Sequence, residues 1–134
     1  MNPREVYSEV VNGKGRVVDP QAAEWERTYS MFMHLTLLAA TFFLPVIPAL
    51  VMWLIKKDQS PYVDDHGREA INFQLSLTLY TILLVPLMAI ITCGVGLVLY
   101  IPIYVMAIVG MIVAAKAANS GEYYRYPATI RFLH

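Results

Sequence analysis

No Asp, Glu, Lys or Arg occurs in the 46 residues from 70 to 115. Soluble domains carry about 25% charged residues, so a run of this kind cannot present a water-facing surface. A helix rises about 1.5 Å per residue and a bilayer's hydrocarbon core is roughly 30 Å thick, so about 20 residues make one crossing. The run therefore holds two crossings and needs a break between them. Thr92-Cys93-Gly94-Val95-Gly96 supplies it, because two glycines permit a tight turn. Helices are predicted over 70–91 and 97–118, and Gly121 is the natural stop after the second.

A second charge-free run covers residues 28–55. As one straight helix it would be about 42 Å long, too long for a single perpendicular crossing. Pro45 and Pro48 offer a kink, and Trp53, Lys56 and Lys57 mark an interface, an indole at headgroup depth followed by charge. The expected fold class is all-α and integral to the membrane. It has three transmembrane helices, a kinked first span over about 29–55 and a tight turn between helices two and three. A re-entrant hairpin at Leu44-Pro45-Val46-Ile47-Pro48 is the alternative. Residues 49–55 are too short for a spanning return leg, which favours the single pass.

The rest of the chain is organised around these spans. Residues 1–18 read as a flexible tail, and residues 19–134 as one helical membrane domain. Asp19-Pro20 resembles an N-cap followed by proline at the first helical position. The N-terminus is polar and of mixed charge, unlike a secretory signal, so the first apolar segment is expected to remain in the protein. The tail 121–134 alternates aromatic and basic residues and is expected to lie along the headgroups.

With three spans, Arg4, Lys14, Arg16 and Arg27 face one side. Lys56, Lys57, Arg68, Lys116, Arg125 and Arg131 face the other. The positive-inside rule then places the charged loop and the C-terminus in the cytoplasm of a multi-pass protein of the bacterial plasma membrane.

Composition narrows the function. The formal net charge is 0, and no paired arginines suggest nucleic acid. One cysteine, Cys93, gives neither a disulfide nor a metal spacing. No phosphate loop, nucleophile elbow or zinc-protease motif is present. No enzyme activity and no cofactor are expected.

Two constellations stand out. Glu69, Asn72, Ser76 and Tyr80 fall within an arc of about 80° on one helix face, with His66 and Arg68 one turn earlier. In lipid such groups need partners, so the stripe is either packing glue towards helix one or three, with Asp64 or Asp65 as the helix cap, or a surface for a partner helix or polar substrate. His66 and Glu69 could share a metal, but no second pair completes a shell. His34 lies near Met31 and Met33, a donor set that would suit copper, although a helix-contact histidine explains it better. On helix three, Tyr100, Tyr104, Ala107, Gly110 and Ala114 form a candidate seam, whose small residues admit a close neighbour.

Several blocks resemble the small Tic-twenty-like bacterial membrane proteins. They are Trp53-Leu-Ile-Lys-Lys57, Ser60-Pro61, Asp64, His66-Gly67, Glu69-Ala70, Asn72-Phe73-Gln74, His34-Leu35, Lys116-Ala117, Gly121-Glu122, Tyr124-Arg125-Tyr126-Pro127 and Ile130-Arg131. The resemblance covers residues 25–132. It implies a role in polypeptide translocation or membrane-complex assembly, by distant similarity to a plastid inner-envelope import subunit. The function expected is a non-enzymatic membrane subunit or scaffold, binding the lipid bilayer and other membrane proteins or a second copy of itself. A small oligomeric channel or carrier built on the polar stripe is the alternative.

Overall fold

The computed structural model describes residues 15–39 and 46–134. These residues form α1 (Glu24–Ala39), α2 (Ile47–Lys56), α3 (Pro61–Ile91), a short 3-10 turn (Val95–Leu99) and α4 (Tyr100–Asn119). Among the described residues no strand forms; a single antiparallel bridge joins Val18 to Glu122.

Two helical stretches are long and apolar enough to cross a bilayer, Pro61–Ile91 and Val95–Asn119, with mean hydropathies of 2.0 and 2.5 over their most apolar windows. Only 11% and 17% of those windows is buried. A core helix of a soluble protein would be mostly buried, so these surfaces are built for lipid. Ile82, Ile90, Val95 and Met106 are each more than 60% exposed.

α3 has 31 residues and is about 46 Å long, roughly 16 Å more than the hydrocarbon core. The excess is its N-terminal third, which holds all its charge: Asp64, Asp65, Arg68 and Glu69. It starts nine residues ahead of the expected start, at Pro61. Ser60, not Asp64 or Asp65, is the cap: it is extended and its hydroxyl accepts from Val63 N at 3.2 Å. A residue before proline is pushed towards that extended conformation, and Pro61 at the first helical position has no amide to leave unpaired.

The expected three-span count is corrected to two. The helices on either side of residues 40–45 do not make one kinked pass; they lie back against each other. The Tyr29 hydroxyl, near the start of α1, donates to Met52 O, near the end of α2, at 2.8 Å. The Lys56 ammonium, at the end of α2, lies 5.4 Å from the centroid of the Trp25 ring at the start of α1. Pro48 occupies the first turn of α2 and so starts a new helix instead of kinking a long one. Pro45 lies outside the described residues. At 10 residues, α2 is about 15 Å long and crosses nothing. It packs on α3 instead, where Met33, Val63 and Ala70 form a core flanked by Tyr29, Met52 and Trp53. Gly67 makes this approach possible: a Cβ there would lie 2.3 Å from Trp53 Cδ1.

The turn between the long helices falls where expected, with Gly94 at φ +88°. α1 packs most extensively on α4 and next on α3, while α3 meets α4 chiefly through the 3-10 turn. α1 is thus a wedge in the mouth of the hairpin. α4 ends in a Schellman motif, Gly121 N to Ala118 O at 3.3 Å and Glu122 N to Ala117 O at 2.9 Å, with Gly121 at φ +78°.

The first 14 residues of the expected tail lie outside the described residues. Its end is pinned: Tyr123 N donates to Val17 O and Asp19 N to Gly121 O, both at 2.8 Å, and Arg16 pairs with Glu122 at 2.8 Å. Asp19 accepts from Gln21 N at 2.9 Å, a local turn; the helix starts later, at Glu24, where Glu26 reaches back to Ala23 N. Residues 16–19, the loop 57–60 and residues 121–125 therefore share one end of the molecule. Arg16, Arg27, Lys56, Lys57, Arg68, Lys116, Arg125 and Arg131 all sit there, so the expected split of positive charge across the membrane is also corrected.

Two outcomes test this fold. With Cys93 replaced by serine, single cysteines at Gln21, Gln59 and Ser120 should all react with an impermeant thiol reagent from the same face, and native Cys93, which is exposed, only from the other. Labelling of Gln21Cys and Gln59Cys from opposite faces would restore the three-span arrangement. Gly67→Ala should lower the melting temperature in detergent, by a destabilisation of about 1–3 kcal/mol, because the added methyl drives Trp53 off α3.

Candidate functional site

The polar stripe on α3 is occupied by the chain's own tail. Asn72 Oδ1 accepts from Phe132 N at 3.0 Å and from Leu133 N at 2.8 Å, and its Nδ2 donates to Leu133 O at 2.8 Å. Ser76 Oγ accepts from Ile130 N at 2.9 Å and lies 3.2 Å from Ile130 O. The Tyr80 hydroxyl donates to Ala128 O at 2.8 Å, and Arg68 donates to His134 O. Glu69 accepts from Tyr126 N at 2.7 Å and faces Arg131 at 3.4 Å. The tail thus runs down the stripe to Tyr80 and back up to Arg68, turning at Pro127-Ala128, where Ala128 has φ +55°.

This corrects the expectation of an interfacial tail. Non-helical backbone at such depth needs every polar group satisfied, and the stripe supplies side-chain partners at intervals of one helical turn. The grip is on main chain. Ile130, Arg131, Phe132 and His134 keep their side chains exposed.

Above the stripe sits a buried aromatic cluster. Tyr126 Oη lies 3.0 Å from His34 Nδ1, and His34 Nε2 lies 3.0 Å from His66 Nδ1. Burial, then Tyr124 and Glu69, pushes the Tyr126 phenol well above its usual range. The phenol therefore keeps its proton; with it as the donor, His34 accepts at Nδ1 and donates from Nε2 to His66. His66 Nε2 is directed at the Glu122 backbone without reaching a bond of normal geometry. His66 stacks on Tyr123 at 5.8 Å, and Phe73 on Tyr126 at 3.9 Å. Tyr62 donates to Ala118 O at 2.7 Å, tying α3 to the end of α4. Asp65 pairs with Arg125, and Asp64 with Arg68 at 2.5 Å and with the Trp53 indole at 2.8 Å.

The other expected residues separate. Ala107 and Ala114 are buried on α4 together with Met111 and Ala118, the small-residue face expected of a seam. Gly110 faces the Tyr126 ring, and an added Cβ would lie 3.6 Å from it, in ordinary van der Waals contact. Tyr100 bonds Thr81 on α3, and Tyr104 is exposed, outside the seam. Met33 sits in the core and not on His34 as a ligand. Among the described residues no group of three or more His, Cys, Asp or Glu side chains is placed to hold a metal. Nothing local to Asn72 and Ser76 signals that they meet the tail; the aromatic Tyr124-Arg125-Tyr126 block is the one hint.

A scan against protein-family models matches residues 25–133 to the magnetosome magnetite crystal formation protein family. This overturns the resemblance to Tic-twenty-like proteins. The blocks that suggested it lie inside the matched range, and Trp53, Ser60, Asp64, His66, Gly67, Glu69, Asn72 and Tyr126 are the residues that clamp the polar end together. No curated protein and no solved structure matches the chain.

Asn72→Leu tests the clamp. It leaves two amides and a carbonyl of the tail unpaired, at about 1–3 kcal/mol for each group that stays buried. The helices should persist by circular dichroism, while trypsin should cut after Arg125 and Arg131 far faster than in wild type. Unchanged proteolysis would show that the tail is held by other contacts.

Proposed function

The chain belongs to the magnetosome magnetite crystal formation protein family, and we propose that it is a non-enzymatic subunit of the magnetosome membrane. In this reading it influences crystal growth by organising other membrane components, and not by binding a substrate of its own. The supporting observation is the occupied stripe. Glu69, Asn72, Ser76 and Tyr80 are the groups best placed for a substrate or a conducting path, and each is bonded to the tail. A channel or carrier needs such groups facing a wet path. The translocation role rested on the import-subunit resemblance and falls with it.

The orientation is part of the proposal. With the described lysines and arginines gathered at one end, the positive-inside rule puts that end in the cytoplasm. The opposite end, residues 92–99, carries no charge. It offers no carboxylate to a mineral or to iron, so the role falls to lipid-facing and cytoplasmic surfaces, whose partners are other membrane proteins or a second copy.

Removal of the chain from the organism that makes it should leave magnetosome vesicles in place and change the size distribution of their crystals. A copy carrying Asn72→Leu with Glu69→Gln should fail to restore it. Crystals indistinguishable from wild type would overturn the reading. Solute or iron flux through purified protein in vesicles, abolished by Glu69→Gln, would replace it with the carrier.

A further inference from the structure

A cleft of about 310 Å³ opens beside the stripe, lined by Trp53, Lys57, Asp58, Asp64, Arg68 and residues 132–134. We propose that it binds the headgroup of a zwitterionic aminophospholipid, of the phosphatidylethanolamine class.

Depth is the first argument. Val51, Leu54 and Ile55 on α2 are 48%, 51% and 61% exposed, a lipid-facing strip. One turn later come Lys56, Lys57 and Asp58. The cleft sits at that boundary, where a bilayer's headgroups lie.

Charge is the second. Asp64 is already committed, to Arg68 at 2.5 Å and to the Trp53 indole at 2.8 Å. Arg68 uses Nε and Nη2 on Asp64 and Nη1 on His134. These are three of its five N–H donors. Lys57 rests its ammonium 5.0 Å above the Trp53 ring and makes no ion pair among the described residues. Asp58 is exposed and likewise unpaired among them. One free cation, reinforced by Arg68, and one free anion stand on the same rim. That pattern complements a phosphate carrying a primary ammonium. An anionic headgroup would satisfy Lys57 and meet repulsion from Asp58; a bulky trimethylammonium would forgo hydrogen bonds to the carboxylate.

Size is the third. The volume is at the low end of small-molecule sites, about 300–1,000 Å³, room for a headgroup while the acyl chains follow the exposed face of α2. Phe132, 49% exposed, and Leu133 form the apolar wall.

The site carries its own reporter. In full-length protein with Trp25→Phe, Trp53 is the only tryptophan. Titration with short-chain phosphatidylethanolamine should change its fluorescence saturably. The matching phosphatidylglycerol and phosphatidylcholine should bind more weakly, and Lys57→Gln with Asp58→Asn should weaken binding about tenfold. Both positions are on the surface, and circular dichroism checks that the variant folds. Lys116→Gln, which does not line the cleft, should change nothing. Equal binding of phosphatidylglycerol, or an unaffected double variant, would overturn the proposal. So would free phosphoethanolamine binding as tightly as the lipid, which would make the cleft a site for a soluble phosphoester.

Discussion

The structure depends on the satisfaction of backbone polar groups where water is scarce. A tail of 14 residues without helix or strand lies against a membrane helix, and each of its inward amides and carbonyls must find a partner or leave. α3 provides those partners from one face: Glu69, Asn72, Ser76 and Tyr80, three or four residues apart. The asparagine is the most efficient of them, since one amide side chain both donates and accepts and so reads a peptide unit as another strand would. The same side chains would be costly if left facing lipid. Stripe and tail therefore solve each other's problem, and neither is intelligible alone.

The fold-back of the first apolar segment follows a similar logic. α1 and α2 are too short to be spans in antiparallel array, yet they bury little unsatisfied backbone because both are helical. What they contribute is a wedge and a flank. α1 inserts between α3 and α4 and brings His34 to Tyr126 and His66, so that one buried hydrogen-bonded chain touches the first helix, the third and the tail. α2 lays Trp53 over Gly67 and fixes its indole on Asp64. With an even number of crossings, residues 16–19 return to meet residues 121–123, and every described basic residue gathers at one end.

Much of this was legible in the sequence, for physical reasons that also explain the failures. The two long helices and their turn could be read because absence of charge over 46 residues has one interpretation, and Gly94 needed a left-handed backbone. The stripe could be read because helical periodicity is local. Its occupant could not, since Asn72 and Leu133 are 61 residues apart and nothing in composition distinguishes a partner helix from a docked tail. Length arithmetic misjudged residues 28–55: it tested whether α2 could span and missed that a short helix packed on α3 has no need to. A proline inside an apolar run suggests a kink, whereas Pro48, in the first turn of α2, marks a beginning. Ser60 lost the cap to Asp64 and Asp65 on chemistry alone, although the following proline already set its backbone. The family blocks were seen as blocks, but their side chains do structural work at the polar end, which leaves kinship undecided until the whole length is compared.

The division of the molecule into two unlike ends carries the functional argument. At one end almost every polar group is committed: carboxylates to arginines, histidines to each other and to tyrosine, the stripe to the tail. On its rim Lys57 and Asp58 make no ion pair among the described residues. At the other end, α3 and α4 present mainly apolar side chains and an uncharged turn. In the proposed role, with Glu69, Asn72, Ser76 and Tyr80 bonded to the tail, the influence on a crystal passes through what the protein touches in the membrane plane. In the same reading the exposed apolar face sets its depth and the basic polar end faces the cytoplasm. The rim is then the place where the surrounding lipid, or a neighbour carrying the same chemistry, meets a surface of defined charge.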